Sequence, residues 1–363
     1  MALKKQTVSI KIKPAEFSAR LLNWHQLHGR NNLPWQFQSA YPVWLSEIML
    51  QQTQVNTVIP YYTRFLQRFP DINSLANASI DEVLVHWQGL GYYARSRNLL
   101  KSAQIIRDQY DGEFPANMDQ VLALPGIGRS TAGAILTFSC QQSWPILDGN
   151  VKRVLARCFQ VRGWYGQTKT AKQLWSISEQ LTPQQDTARY NQAMMDLGSS
   201  VCIRNNPLCN SCPLINDCLS YQQQTQHLFP EKKPKKQNPL KHTVMLLHRF
   251  EDSILLYRRP LSGIWGGLWS LPEVEQVDQV STWQQANYLP DLVANSFEEK
   301  LLRHKFTHFN LDISVAKFEL KKLPERIADA VNWRWVPVSD LAEYGLPTPV
   351  RKILNNLLRV VAS

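Results

Sequence analysis

Apolar residues recur at helical spacing through Val43 to Gln54, Ile80 to Trp87 and Ser96 to Asp108. Short connectors rich in Pro, Gly, Asn and Asp separate such segments, as at Phe69-Pro70-Asp71, Asp111-Gly112 and Pro115-Ala116-Asn117. Strand-like alternation is scarce, so residues 15–225 read as helical. The pattern then changes twice. Phe229 to Leu240 holds three prolines and four lysines in twelve residues, the composition of a linker. Beyond it, Thr243 to Leu247, Ile254 to Tyr257, Leu311 to Phe318 and Trp333 to Val338 are short strand candidates rich in β-branched and aromatic residues. Gly263 to Trp269 is a glycine-rich loop, and Pro349 to Val360 predicts a closing helix. The expected architecture is multidomain: a mostly α domain over 1–225, a basic linker over 226–241, and an α+β domain over 242–363. No internal repeat is visible.

At 363 residues and 44% hydrophobic content, the chain can fill two cores. It has no run of about 18 apolar residues, so no transmembrane helix is expected. Met1 to Lys13 is short and basic without a continuous apolar stretch, unlike a secretory signal. The net charge of +11 is unevenly placed. Residues 1–225 carry 21 Lys/Arg against 14 Asp/Glu, 226–241 carry 5 against 1, and 242–363 carry 14 of each. An anionic partner is therefore expected at the front domain and linker; a solvated basic face is the alternative.

Cys202, Cys209, Cys212 and Cys218 follow the spacing Cys-x6-Cys-x2-Cys-x5-Cys. Thiolates are soft ligands for an iron–sulfur cluster or zinc. A four-cysteine zinc site more often has two Cys-x2-Cys pairs, and here there is one. The spacing predicts a [4Fe–4S] cluster, with zinc or disulfides as alternatives. Clustered thiols without a targeting segment point to a reducing, cytoplasmic location.

Leu124-Pro-Gly126-Ile-Gly128 opens into the small-residue helix Arg129-Ser130-Thr-Ala-Gly-Ala-Ile-Leu136, after a short helix at Met118 to Leu122. This is a helix–hairpin–helix. Its glycines let backbone N–H groups approach a DNA phosphate, although a plain turn between packed helices would also use glycine. Twenty residues on, Asp148 and Asn150 begin another helix, where either could simply cap it. Glu47 lies among Trp44, Leu45, Ile48, Met49 and Leu50. If buried there, its proton is held more tightly, as a general acid requires; an exposed helical stripe is the alternative.

The hairpin, Asp148 and the cysteine ladder resemble the helix–hairpin–helix superfamily of base-excision DNA glycosylases. Trp44-Leu-Ser-Glu47-Ile-Met-Leu-Gln-Gln-Thr-Gln54, Gly89-Leu-Gly-Tyr-Tyr-Ala-Arg95 and Leu147-Asp-Gly-Asn-Val-Lys-Arg153 narrow the resemblance to the adenine DNA glycosylases. That resemblance implies that Glu47 protonates the adenine and Asp148 stabilises an oxocarbenium-like sugar. Bifunctional relatives carry lysine where this chain has Ser130, so a monofunctional glycosylase is implied. Gln51, Gln52 and Tyr92 match wedge or opposite-base positions, and Arg30 and Trp35 match a pocket segment. Gly126, Gly128, Ser130 and Asn150 complete the expected DNA-contacting set. The cluster is implied to be structural, bracing Ile203 to Leu208 for phosphate contact.

The back domain resembles a Nudix fold through Trp265-Gly-Gly-Leu-Trp269 but lacks the Arg-Glu-x-x-Glu-Glu run that binds Mg²⁺. Phe306, Thr307 and His308 match the loop that reads 8-oxoguanine, with threonine where serine is common. The implied partner is double-stranded DNA with an 8-oxoguanine:A or G:A mismatch, bound by a monomer and no membrane. Two other readings compete: an endonuclease-III-like glycosylase/lyase for oxidised pyrimidines, which would require lysine at 130, and a non-catalytic DNA-binding or redox-sensing protein.

Overall fold

The computed structural model describes residues 12–234, 237–287, 289, 294–323 and 332–359. The basic stretch Met1 to Lys13 lies outside them except for Ile12 and Lys13, as do linker residues Lys235 and Lys236 and the terminal Val360. The chain divides into two compact units. One comprises Met1–Tyr62, Asp71–Asn73 and Lys101–Lys235; the other comprises Thr63–Pro70, Ser74–Leu100 and Lys236–Ser363. Part of the helical region thus groups with the strand-rich region.

The first unit is helical. It holds α1 (Pro14–His28), α2 (Ala40–Leu50), α7 (Met118–Ala123), α8 (Arg129–Cys140), α9 (Gly149–Cys158), α10 (Thr168–Leu181), α11 (Thr187–Ser200) and the short α12 (Leu219–Gln222). Its helices α3 (Val55–Arg68), α4 (Ile72–Ala76) and α6 (Ala94–Gln109) are shared with the second unit. Apolar faces of α1, α9, α10 and α11 meet in one core around Phe17, Leu21, Val154, Leu155, Leu174, Ile177 and Leu197. Each such side chain contributes about 1.5–3 kcal/mol by leaving water. Local chemistry marks where helices start. The Asn117 side chain accepts from the N–H groups of Asp119 and Gln120 before α7, and Asp148 caps α9.

The second unit contains α5 (Ile80–Trp87), started by a reciprocal Ser79–Glu82 capping box. It also contains β1 (Leu240–Phe250), β2 (Ser253–Arg258), β3 (Trp269–Ser270), β4 (Glu273–Val274), α13 (Val280–Ala286), β5 (Ser296–Lys305), β6 (Asn310–Glu319), β7 (Trp333–Pro337) and α14 (Thr348–Arg359). The sheet runs β3-β2-β1-β6-β5, with β4 pairing β1 and β7 pairing β2. It is mixed: β1 is parallel to β6, from Leu240 opposite Asn310 to Arg249 opposite Glu319, and antiparallel to β2. All four sequence-expected strands form. β5 is an additional strand; its exposed, charged pattern at the sheet edge hides the alternation that would announce it. At the start of the compositional linker, Phe229 is buried, so its ring belongs to the packed structure.

Candidate active site

Glu47 sits on α2 beside the buried residues Val43, Trp44, Leu45, Ser46, Ile48 and Met49. Glu47 is itself half-buried, so its carboxyl is largely withdrawn from water and is not on an exposed stripe. Burial pushes its proton affinity up to about 8, and the nearby Asp148 carboxylate pushes in the same direction. The two acids, 101 positions apart, thus meet in one site.

Asp148 arrives by a different route. The extended segment Trp144–Leu147 has no neighbouring strand to satisfy its backbone, so side chains from three helices do so. Asn191 of α11 donates to the Trp144 carbonyl at 2.9 Å, and Ser178 of α10 donates to the Ile146 carbonyl at 2.8 Å. Ser130 of α8 accepts from the Leu147 N–H at 2.9 Å. Gly133 on α8 faces the Pro145 carbonyl, where a Cβ would come within 2.8 Å. At the end of this clamped segment, Asp148 Oδ1 accepts from the Val151 N–H at 2.8 Å and Oδ2 accepts from the Asn150 amide at 3.1 Å. Both carboxylate oxygens are fixed as acceptors before substrate arrives.

Arg153, one turn on, extends this network. It donates to Asn150 Oδ1 at 2.8 Å, to the Gly198 carbonyl at 2.5 Å, and through Nε to the Cys202 carbonyl at 2.7 Å. Arg157 repeats the device one turn later. It donates to the carbonyls of Ile203 at 2.7 Å, Arg204 at 2.9 Å and Phe229 at 2.9 Å, and to Cys202 Sγ at 3.4 Å. Sequence reading missed both arginines. Their signal was present, since Asn150, Arg153 and Arg157 share one helical face.

Cys202, Cys209, Cys212 and Cys218 are free thiols lining one cavity. Each sulfur receives an N–H donor: Arg157 on Cys202, Gln226 on Cys209, the Leu214 backbone on Cys212, and the Ser220 and Tyr221 backbones on Cys218. That donor set suits thiolate ligands. Among the described residues, no three His, Cys, Asp or Glu side chains are already drawn into metal-holding geometry. The fit therefore rests on the shared cavity and the donors aimed at sulfur. A fifth thiol, Cys158, is buried against Cys218 and donates to its sulfur.

The hairpin is built as expected. Gly126 has φ +81°, and Gly128 caps α8 with open space where a Cβ would stand. The leading N–H groups of α8 are where an anion would sit. Arg129, however, is turned onto protein, paired with Glu179 at 2.5 Å and stacked 4.0 Å over Trp175. Gln51 ends α2 with its amide 3.4 Å from the Gly126 carbonyl, and Gln52 has φ +59°.

Arg30 is committed to protein contacts. Asp196 accepts its backbone N–H at 2.8 Å and its guanidinium at 2.8 and 2.6 Å, and also accepts from Gln192 at 2.9 Å. Asp196 is held below the ordinary carboxylate range: burial opposes this, but the donors from His25 and Arg30 outweigh it. Trp35 is buried, edge-on to Tyr62 at 5.4 Å.

In the second unit, Tyr92 stands out from its loop, 47% exposed with φ +48°. Arg95 lies beneath it, 5.3 Å from the ring, and donates to the carbonyls of Leu90 and Gly91. Phe306, Thr307 and His308 form the β5–β6 turn. Phe306 stacks on Phe309 at 4.5 Å and packs on Trp265 at 5.3 Å, while Thr307 and His308 are exposed. The helix after the glycine-rich loop, α13, carries no Asp or Glu, and Glu273 is paired with Arg259 at 2.8 Å. This part of the Nudix-like fold is not arranged as a carboxylate cluster for Mg²⁺.

Residues 45–180 match the HhH-GPD superfamily of base excision DNA repair proteins, and residues 243–356 match the NUDIX domain. An adenine DNA glycosylase of Buchnera aphidicola (subsp. Acyrthosiphon pisum, strain APS) is 40% identical across 94% of this chain and 97% of its own length. The adenine DNA glycosylase of Homo sapiens is 31% identical across 93% of this chain and 73% of its own. Among solved structures, a thermostable thymine-DNA glycosylase superposes with TM-score 0.52 at 23% identity, covering 58% of this chain and 97% of that one. An endonuclease III–DNA complex gives 0.51 at 18% identity, covering 59% and 99%. These two share the helical fold. With both acids assembled, the hairpin in place and relatives matched along nearly its whole length, the chain belongs to the adenine DNA glycosylases, hydrolases that cleave an N-glycosidic bond in base excision repair.

Proposed function

We propose that this protein removes adenine opposite 8-oxoguanine or guanine by monofunctional hydrolysis. The observation that carries the reading is Glu47 holding its proton up to about 8 beside Asp148. The target adenosine must leave the duplex to reach them. Glu47 donates its proton to a ring nitrogen of adenine. The C–N glycosidic bond then breaks with its electron pair leaving on the base. Asp148, fixed by Asn150 and the Val151 N–H, faces the developing oxocarbenium-like sugar. Glu47, now a carboxylate, takes a proton from the water that adds to the sugar carbon, which returns the enzyme to its starting state.

Ser130 has no amine with which to form a Schiff base, and its hydroxyl is occupied by Leu147, so strand cleavage by that route is not expected. The four cysteines would hold a [4Fe–4S] cluster whose role is to fold the 203–208 loop for phosphate contact. Tyr92, with Gln51 and Gln52, would fill or border the gap left by the flipped base. Arg30 and Trp35 would act by shaping the pocket wall from behind. Phe306, Thr307 and His308 would read the 8-oxoguanine. Reduced thiols suit the cytoplasm, and nothing in this scheme requires a second copy of the chain.

The test is single-turnover adenine release from duplexes with A opposite 8-oxoguanine, G or T. Release ordered 8-oxoguanine > G > T supports the reading. Equal release from all three contradicts the proposed mismatch specificity.

A further inference from the structure

Arg97 of α6 donates through Nη1 to the Gly266 carbonyl at 2.7 Å. Both residues belong to the second unit. Among the described residues, no carboxylate lies within ion-pair distance of Arg97, and burial lowers its proton affinity. An unpaired, partly desolvated guanidinium costs stability, and a methionine would fill similar space without that cost. What it holds is therefore informative.

Gly266 sits in a turn that no other residue can make, because its Cβ would come within 2.3 Å of the Leu261 carbonyl oxygen. The next residue, Gly267, has φ +81° and lies under the Arg97 stem and Leu84. The preceding residue, Trp265, packs on Phe306 at 5.3 Å and His304 at 5.6 Å. On the helix side, Arg97 follows Arg95 by two positions, and Arg95 supports the Tyr92 ring and its loop carbonyls. Two further contacts keep α5 against the same fold. Arg258 pairs with Asp81 at 3.2 Å, and Leu84 packs where a Gly345 Cβ would be 3.1 Å away.

We propose that Arg97 is a positioning residue that fixes the aromatic turn Phe306–Phe309, through Gly266 and Trp265, relative to the loop before α6 that carries Tyr92. This deepens the proposed reading of 8-oxoguanine and rests on it. The residue that contacts the opposite base and the residue that enters the stack would then share one rigid frame. Discrimination between 8-oxoguanine and guanine would depend on that frame, whereas the adenine chemistry would not.

The experiment measures single-turnover adenine release from 8-oxoguanine:A and G:A duplexes, with thermal midpoints, for wild type, Arg97→Met, Arg97→Lys, Phe306→Ala and the Arg97→Met/Phe306→Ala double variant. Arg97→Met keeps the apolar stem and removes the donor. The expected result is a ~10-fold loss of preference for 8-oxoguanine:A, with the G:A rate within about twofold of wild type. Arg97→Lys, which retains a donor, should recover part of the preference. In the Phe306→Ala background, Arg97→Met should cost nothing more. Full preference in a folded Arg97→Met variant, or additive losses in the double variant, overturns the proposal alone. Absence of preference in wild type overturns the 8-oxoguanine reading and this inference with it. A general structural role would instead lower both rates and the midpoint together.

Discussion

Arg153 joins α9, the helix capped by Asp148, to the cysteine loop by a 2.7 Å hydrogen bond from its Nε to the carbonyl oxygen of Cys202. The same guanidinium holds Asn150, which holds Asp148. Removing it takes this donor from the Gly198 carbonyl, leaves the Cys202 carbonyl only the longer 3.4 Å contact from Arg157, and frees the Asn150 side chain. Arg153→Ala should therefore destabilise by about 1–3 kcal/mol and slow adenine release, while Arg153→Lys restores part of both. Urea melts and single-turnover rates check this; wild-type rates in a folded Arg153→Ala variant would show that Asp148 does not depend on this bridge.

Glu47 sets a pH dependence. In its proposed role as the acid it must be protonated, so the rate of base release should fall as pH rises through about 8. Stability moves in the same direction. The folded value lies above the ordinary 4.5, so the folded state binds the proton more tightly. Its contribution is fully present below the ordinary carboxylate range and is lost as pH rises through about 8. Glu47→Gln should therefore gain thermal midpoint relative to wild type between pH 5 and pH 9. A constant midpoint difference across that window would contradict the buried-acid description.

Ser130 places its hydroxyl on the Leu147 N–H, one residue before Asp148. Borohydride should give no efficient covalent capture of wild-type enzyme on abasic product. Ser130→Ala leaves that N–H unpaired and should cost about 1–3 kcal/mol in a denaturant melt. Efficient capture of wild type would refute monofunctional chemistry.

The cysteine loop is held by Arg157 and Arg153, whereas Glu47 and Asp148, the carboxylates proposed to react, lie on α2 and at the start of α9. Cys209→Ser should weaken folding or DNA binding before it affects chemistry. A folded, DNA-binding Cys209→Ser protein that has lost base excision at saturating DNA would overturn this division of roles.

Much of this site was legible in sequence because its parts are local. The hairpin turn, the cap at Asp148, and the apolar neighbours of Glu47 each follow from residues within one helix turn of each other. α5, from Ile80 to Trp87, lies where its periodicity places it. What was not legible depends on long-range contact. Arg30 looked like a pocket cation until Asp196, 166 positions away, enclosed it. The Trp144–Leu147 segment has no pattern of its own because Ser130, Ser178 and Asn191 supply its hydrogen bonds from three helices. β5 was hidden because its residues are largely exposed and charged and an irregularity between Glu298 and Leu302 interrupts any alternation. Phe229 was hidden because prolines and lysines dominate the composition around a single buried ring.

The most direct test of the account is free adenine released from an 8-oxoguanine:A duplex by wild type and Glu47→Gln, under single turnover at saturating enzyme. Removal of a general acid predicts a loss of ~10² to 10⁴-fold in rate with duplex affinity retained. Equal release by the two proteins would contradict the assignment of Glu47 as the group that protonates the departing base.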